Sequence, residues 1–136
     1  MRDFAATPAQ LFRAHTDPGL FAQWVGPDRM TTRIDHWDAR TGGSWRYASG
    51  DYWFHGSFHD VRPDRIVQTF TDESNPDGVA LETLWFDDLG GGRTRLRTRA
   101  LVESFEIRDA WLRSGMETGM NEGYAKLERM LIDGTV

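Results

Sequence analysis

Glu82 is the one carboxylate in this chain with a plausible inward direction. In the predicted strand Val79–Phe86, alternate residues share a face, and Glu82 falls in step with Leu84 and Phe86. A carboxylate turned toward an apolar interior is costly unless it is paired or protonated. Two readings follow: a residue near the sheet edge that reaches water, or a polar anchor at one end of a cavity. General acid–base catalysis would also want a positioned partner.

Other chemistry-bearing residues narrow the function classes. His55 and His59 are four apart on a predicted strand, ~13 Å at ~3.3 Å per residue, too far to share one metal ion. His15 and His36 have no carboxylate at motif spacing, so neither a metal nor a cofactor is expected. Gly90-Gly91-Gly92 precedes a strand, whereas a phosphate cradle needs a helix N-terminus behind it, so these glycines predict a hairpin turn. No Gly-x-Ser-x-Gly elbow occurs. The chain has no cysteine, which excludes disulfides, thiol catalysis and Cys-based zinc sites.

Arg93, Arg95, Arg97 and Arg99 alternate with Thr94, Leu96, Thr98 and Ala100. The second set is predicted to face inward and the arginines to form a solvated outer face. A nucleic-acid surface would need a basic balance and aromatics interleaved on that face. The chain instead carries 16 Lys+Arg against 21 Asp+Glu, a net charge of −5. No nucleic-acid partner is expected.

Six Trp and eight Phe in 136 residues are more bulk than a minimal core needs. They read either as an aromatic core or as the lining of a ligand cavity. Trp45 and Tyr47 share a face of the strand Ser44–Ala48 and are the inward pair. On Tyr52–Val61 both faces carry aromatics, Tyr52, Phe54 and Phe58 against Trp53, so alternation leaves the facing open, and a bulge could change it midway.

The elements that must position these residues follow from turn and cap signals. Thr7-Pro8-Ala9-Gln10 predicts a capped helix start, with Leu11, Phe12 and His15 on one side. Asp17-Pro18 starts a second short helix carrying Leu20, Phe21, Trp24 and Val25, which Gly26-Pro27 ends. Met1–Ala5 is the stub of a first strand. Strands are then predicted at Met30–Asp38, Ser44–Ala48, Tyr52–Val61, Ile66–Thr71, Val79–Phe86 and Arg93–Leu101, with Asp87–Gly92 as a hairpin loop. Connections too short for a crossover helix make neighbouring strands antiparallel. Ser104 caps a helical pattern over Phe105–Ile132, with a kink or break at Ser114-Gly115. Along it Met116, Met120 and Tyr124 recur beside Gly119 and Gly123, either as soft core packing or as room for a guest. The layout is one α+β domain over residues 1–136. No apolar run is long enough to span a bilayer and no signal peptide is visible, so a cytoplasmic location without membrane insertion is expected.

The ordered pieces Phe12-Arg13-Ala14-His15-Thr16-Asp17-Pro18, Trp24-Val25-Gly26-Pro27, Asp38-Ala39-Arg40-Thr41-Gly42-Gly43-Ser44-Trp45-Arg46, Phe54-His55-Gly56, Val61-Arg62-Pro63-Asp64-Arg65-Ile66-Val67, Gly92-Arg93-Thr94-Arg95-Leu96 and Ser114-Gly115-Met116-Glu117-Thr118-Gly119-Met120 together resemble one family over nearly the whole chain. It is the activator of heat-shock-protein ATPase homologue branch of the START-like, or SRPBCC, superfamily. The resemblance implies a helix-grip fold: a curved antiparallel sheet of six to seven strands around a long C-terminal helix, two short helices near the N-terminus, and a cavity between sheet and helix. Relatives include lipid carriers, aromatase/cyclases, hormone receptors and co-chaperone domains, so the fold does not decide the function. Two departures stand out. Only Met1–Ala5 precede the first cap, a short first strand that leaves a sheet edge less covered, as a truncated start would. Met120 also stands where relatives often carry Trp.

Three functions are carried forward. The first is non-catalytic binding of an apolar or amphipathic small molecule by Trp45, Tyr47, Glu82, Thr98, Trp111, Met116, Met120 and Tyr124, with Phe21 and Trp24 near the entrance. The second is a co-chaperone-like module of the stress response that stimulates a chaperone ATPase. The third is a cyclase- or hydrolase-like enzyme with Glu82 as its titratable group. A homodimer is expected, avoiding the arginine face and using either the helix pair near Phe21 and Trp24 or the open sheet edge.

Overall fold

A computed structural model describes residues 1–136. Its first strand, β1 (Arg2–Phe4), leads into α1 (Pro8–Thr16) through the expected reciprocal cap. The Gln10 amide donates to Thr7 Oγ1 at 3.2 Å, and the Thr7 amide donates to Gln10 Oε1 at 2.9 Å. Asp17 ends α1 and caps α2 (Pro18–Trp24), accepting from the Leu20 amide at 3.2 Å. One residue thus closes one helix and opens the next, which fixes the angle between two short elements.

Six strands follow: β2 (Thr32–Trp37), β3 (Ser44–Ser49), β4 (Tyr52–Arg62), β5 (Arg65–Asp72), β6 (Ala80–Gly90) and β7 (Arg93–Leu101). With β1 they form a seven-stranded sheet in the order β1-β7-β6-β5-β4-β3-β2, antiparallel at every junction. Then come α3 (Phe105–Arg113) and α4 (Met116–Asp133). This is the α+β helix-grip arrangement. The break falls at Ser114-Gly115, where Gly115 adopts φ +81°, a left-handed conformation that ordinary side chains resist. No helix is long and apolar enough to cross a membrane.

Several boundaries differ from the predicted ones. β2 begins at Thr32, because Pro27 to Met30 close a turn in which the Met30 amide donates to the Pro27 carbonyl at 3.1 Å. β6 runs on through Asp87 to Gly90, so the β6–β7 connection is only Gly91-Gly92, both with positive φ. β4 turns Phe54, Gly56 and Phe58 inward, and a register shift between Phe58 and Asp60 redirects its end. Trp53 lies on the outer face, under the Arg46 guanidinium at 3.9 Å.

The core joins Phe4, Leu11, Ile66, Leu96 and Leu127, which pins α1, α4 and the β1–β7–β6–β5 half of the sheet together. At the other end the concave face is not filled by α4. Thr94 and Leu96 of β7 are buried as expected, while Thr98 and Ala100, on the same face, are exposed. Helix and sheet separate there and leave a hollow.

Candidate functional site

That hollow has a volume of about 670 Å³ and lies between the β3–β7 face, α2, α3 and α4. All ten residues singled out from the sequence line it: Phe21 and Trp24 from α2, Trp45 and Tyr47 from β3, Glu82 from β6, Thr98 from β7, Trp111 from α3, and Met116, Met120 and Tyr124 from α4. Their positions within it are unequal. Trp24 is 4% exposed and belongs to the buried part of the wall rather than to an entrance, its indole N–H donating to the Ala14 carbonyl at 3.0 Å. Thr98 and Met120 stand at the exposed rim. The helix pair around Phe21 and Trp24 therefore offers a dimer no exposed Trp24.

Aromatic rings form two connected walls. On the sheet, Trp45 stacks on Tyr47 at 5.3 Å, Tyr47 meets Phe54 at 5.5 Å, and Phe54 meets Phe70 at 5.2 Å. Trp111 extends this wall from α3, stacked on Phe70 at 6.0 Å, with its indole N–H directed at the Met116 sulfur. On the helical side Trp24 stacks on Tyr124 at 5.5 Å, and Phe21 bridges Trp24 at 5.3 Å to Tyr47 at 5.4 Å.

The glycines of α4 do not supply the empty space. A Cβ on Gly123 would come within 2.9 Å of the Trp24 carbonyl oxygen, and one on Gly119 within 3.3 Å of the Pro27 ring. They let α4 approach α2 closely and so seal that side. The room comes from the divergence of helix and sheet.

Arg29, Asp72, Arg99, Arg108 and Glu117 contribute charge to the lining, and a hydrogen-bonded pair stands among the rings. The sheet register sets Gln68 directly opposite Glu82, and Gln68 Nε2 donates to Glu82 Oε1 at 2.9 Å. Burial raises the Glu82 pKa above the ordinary carboxyl range, and the amide hydrogen bond offsets this only in part. Glu82 retains half-buried surface because it faces the hollow, not because it reaches bulk water. It belongs to no ion pair. The Tyr47 and Tyr124 hydroxyls have no hydrogen-bond partner in the protein. Desolvation pushes both pKa values up, and the nearby Glu82 charge pushes them further.

His15 also lines the hollow, wedged between Trp24 at 4.9 Å and Phe86 at 5.3 Å. Its Nδ1 lies 2.7 Å from the Leu11 carbonyl, so the proton sits on Nδ1 and Nε2 is left as a buried acceptor without a partner. Burial lowers its pKa to about 4. The Trp45 indole N–H is likewise buried and unpartnered.

The chain's remaining charges are largely paired outside the hollow. Glu73 holds Arg46 at 2.8 Å and His55 at 2.9 Å, and those hydrogen bonds lower its pKa to about 2. On the outer face of β7 the arginines are met by carboxylates and one ring. Arg95 pairs with Asp3 at 2.8 Å, Arg97 pairs with Asp87, and Arg97 and Arg99 lie over Trp85 at 4.6 and 5.3 Å. No three His, Cys, Asp or Glu side chains gather as metal ligands would.

Comparison with known proteins places this architecture. Residues 5–131 match the family model for activator of Hsp90 ATPase homolog 1-like proteins. The chain belongs to that family. Among solved structures of this helix-grip, START-like type, a Rhodobacter sphaeroides protein is 28% identical with a TM-score of 0.84, over 97% of this chain and 89% of that one. An Arthrobacter aurescens protein at 24% identity and a TM-score of 0.86 covers 97% of this chain and 83% of its own. A Mycobacterium smegmatis protein at 22% and 0.85 covers 98% and 88%. The last two show the fold alone. No curated protein matches the chain. At the level of the family, the chain is a ligand-binding or co-chaperone-type module.

Gln68, His15, Phe54 and Phe70 belong to the site and were not among the residues singled out. The signal for Gln68 was its place between Ile66 and Phe70 on one strand face, a polar residue in an apolar row. Its pairing with Glu82 needed the β5–β6 register, which no local pattern specifies.

Proposed function

We propose that this member of the family binds an apolar or amphipathic small molecule in the hollow between sheet and C-terminal helix, without converting it chemically. The observation that carries the reading is a cavity of about 670 Å³ whose walls are aromatic and whose His15 Nε2 and Trp45 indole N–H are buried without a protein partner. That size and composition match small-molecule sites, which run from roughly 300 to 1,000 Å³ with a few placed polar groups. Filling the hollow would remove apolar surface from water and give the free Tyr47 and Tyr124 hydroxyls something to bond. Titration with Nile red, a neutral apolar dye, tests this. Equimolar uptake is expected, and Thr98→Trp at the rim should block it while circular dichroism shows the fold retained. Failure of the dye to bind at tens of micromolar protein would overturn the reading.

A second reading is favoured by the family match itself, whose description names an Hsp90 ATPase activator. It requires an exposed surface, and α3 offers one, with Phe105 and Leu112 both largely exposed. Adding the chain at saturation to an Hsp90-type ATPase should then raise turnover, and Phe105→Asp with Leu112→Asp should remove the effect. An unchanged ATPase rate disposes of this reading.

A further inference from the structure

Glu82 is a carboxyl group that has no countercharge in the protein. It lies on the cavity surface, its only protein partner is the neutral Gln68 amide, and it forms no ion pair. Its other carboxyl oxygen makes no hydrogen bond, and the residue lines the hollow. Around it stand rings rather than cations: Tyr47 and Tyr124 are close enough for its charge to affect them, and Trp45, Phe54 and Trp24 continue their walls. Aromatic faces carry negative potential and attract cations, and a desolvated cation gains more there than an exposed one. A buried carboxylate and aromatic faces repel an anion but complement an ammonium group. We propose, building on the small-molecule reading, that the guest is an amphipathic amine bound as its cation, with the ammonium group on Glu82 and an apolar, ring-bearing body between the two aromatic walls.

The groups facing Glu82 support this polarity. Gln68 from β5, Tyr47 from β3 and Tyr124 from α4 are uncharged, and His15 from α1 is neutral above about pH 4. Arg99 from β7, Arg108 from α3 and Arg29 after α2 also line the hollow, yet none shifts the Glu82 titration. Arg99 is engaged over Trp85, and Arg108 with Asp109 and the Phe105 ring. Asp72 and Glu117 complete the charged lining. An ammonium ligand would hold Glu82 ionised, so affinity should rise with pH as the carboxyl loses its proton. A ligand carbonyl that accepted a proton from neutral Glu82 would show the reverse.

Calorimetric titration with three probes on one skeleton separates the cases: 2-(2-naphthyl)ethylamine, 2-(2-naphthyl)ethanol and 3-(2-naphthyl)propionic acid. The amine should bind at least about tenfold more tightly than the alcohol at pH 8, the acid most weakly, and the amine preference should shrink at pH 5. In Glu82→Gln the amine-to-alcohol ratio should fall to about one. Equal binding of amine and alcohol in the unmodified protein overturns the amine assignment while leaving the small-molecule reading intact. So does tightest binding of the acid, with its carboxylate on the rim arginines, or an amine preference that survives Glu82→Gln through Asp72 or Glu117. Binding of none of the three, together with no dye uptake, overturns both. The ligand series and its pH dependence need no variant, so a poorly folding Glu82→Gln leaves the test decisive.

Discussion

His15 is held neutral by the packing that holds it in place. Burial between Trp24 and Phe86 brings its pKa from 6.5 to about 4. The unfolded chain takes up a proton as pH falls below the ordinary value, and the folded chain does so only near 4. The stabilisation is therefore complete above about pH 6.5 and lost as pH falls toward 4, worth about 3 kcal/mol over that window. Urea unfolding at pH 7 and pH 4.5 should show the natural protein losing stability relative to His15→Leu at the lower pH. A parallel loss in both would contradict this origin. Glu82 works in the opposite sense. Its folded pKa is raised, so its contribution is fully present below the ordinary 4.5 and is lost as pH rises through the folded value. Glu82→Gln should be more stable than the natural protein by about 1–2 kcal/mol at pH 8 and not at pH 4. Glu73, lowered to about 2, contributes stability that is fully present above its ordinary 4.5 and is lost as pH falls toward 2 and its pairs with Arg46 and His55 break, so the pH windows over which the two carboxyls change stability do not overlap. The direction of Glu82 was readable from its alternation with Leu84 and Phe86. The protonation behaviour of His15 was not, because it depends on rings from α2 and β6 that only the tertiary fold brings together.

Elements with strong local signals came through the sequence well: the Thr7 and Asp17 caps, the Gly115 break and the strand alternation on β3 and β7 all rest on neighbours within a few residues. Where both faces of a strand are aromatic, as on β4, the facing depends on which partner rings are present, and Phe54 turns inward to meet Tyr47 and Phe70. The role of the α4 glycines was likewise hidden, since it lies in how closely α2 approaches. Gly123→Ala would press a methyl against the Trp24 carbonyl oxygen at 2.9 Å and should cost about 1–3 kcal/mol in urea unfolding. Indistinguishable midpoints would mean that the helix pair has slack the packing does not show. The opposite holds for α3, none of whose residues is buried. Trp111 touches Phe70 at 6.0 Å and covers the hollow, so Trp111→Ala should change stability by less than about 0.5 kcal/mol. The same variant should raise the dissociation rate of Nile red several-fold in stopped-flow measurements, and an unchanged rate would show that the guest leaves by another side.

The whole molecule divides into a filled end and an open end. Leu11, Ile66, Leu96 and Leu127 close one half, while Thr98, Met120 and Trp111 border an unfilled one. The chain's sequence made part of the wall legible, Trp45, Tyr47 and Glu82 by inward alternation and Met116, Met120 and Tyr124 by helical spacing, but not Phe54 and Phe70. It did not make the size of the gap legible, because that depends on how far α4 stands off the sheet once Gly119 and Gly123 have drawn it against α2. Such a division ties stability to occupancy. The empty hollow forgoes apolar contacts that a guest restores, and a guest that binds only the folded chain shifts the unfolding equilibrium by mass action. At a free concentration about 100 times its Kd, a bound probe should stabilise the fold by roughly 2.7 kcal/mol, which for a chain of this length raises Tm by about 9 °C. Differential scanning fluorimetry with increasing 2-(2-naphthyl)ethylamine measures it directly. The shift should grow with the logarithm of ligand concentration above Kd, and Thr98→Trp should abolish it. A Tm that stays flat while calorimetry reports binding would mean that the probe sits on a surface the unfolded chain also presents, and not between the sheet and α4.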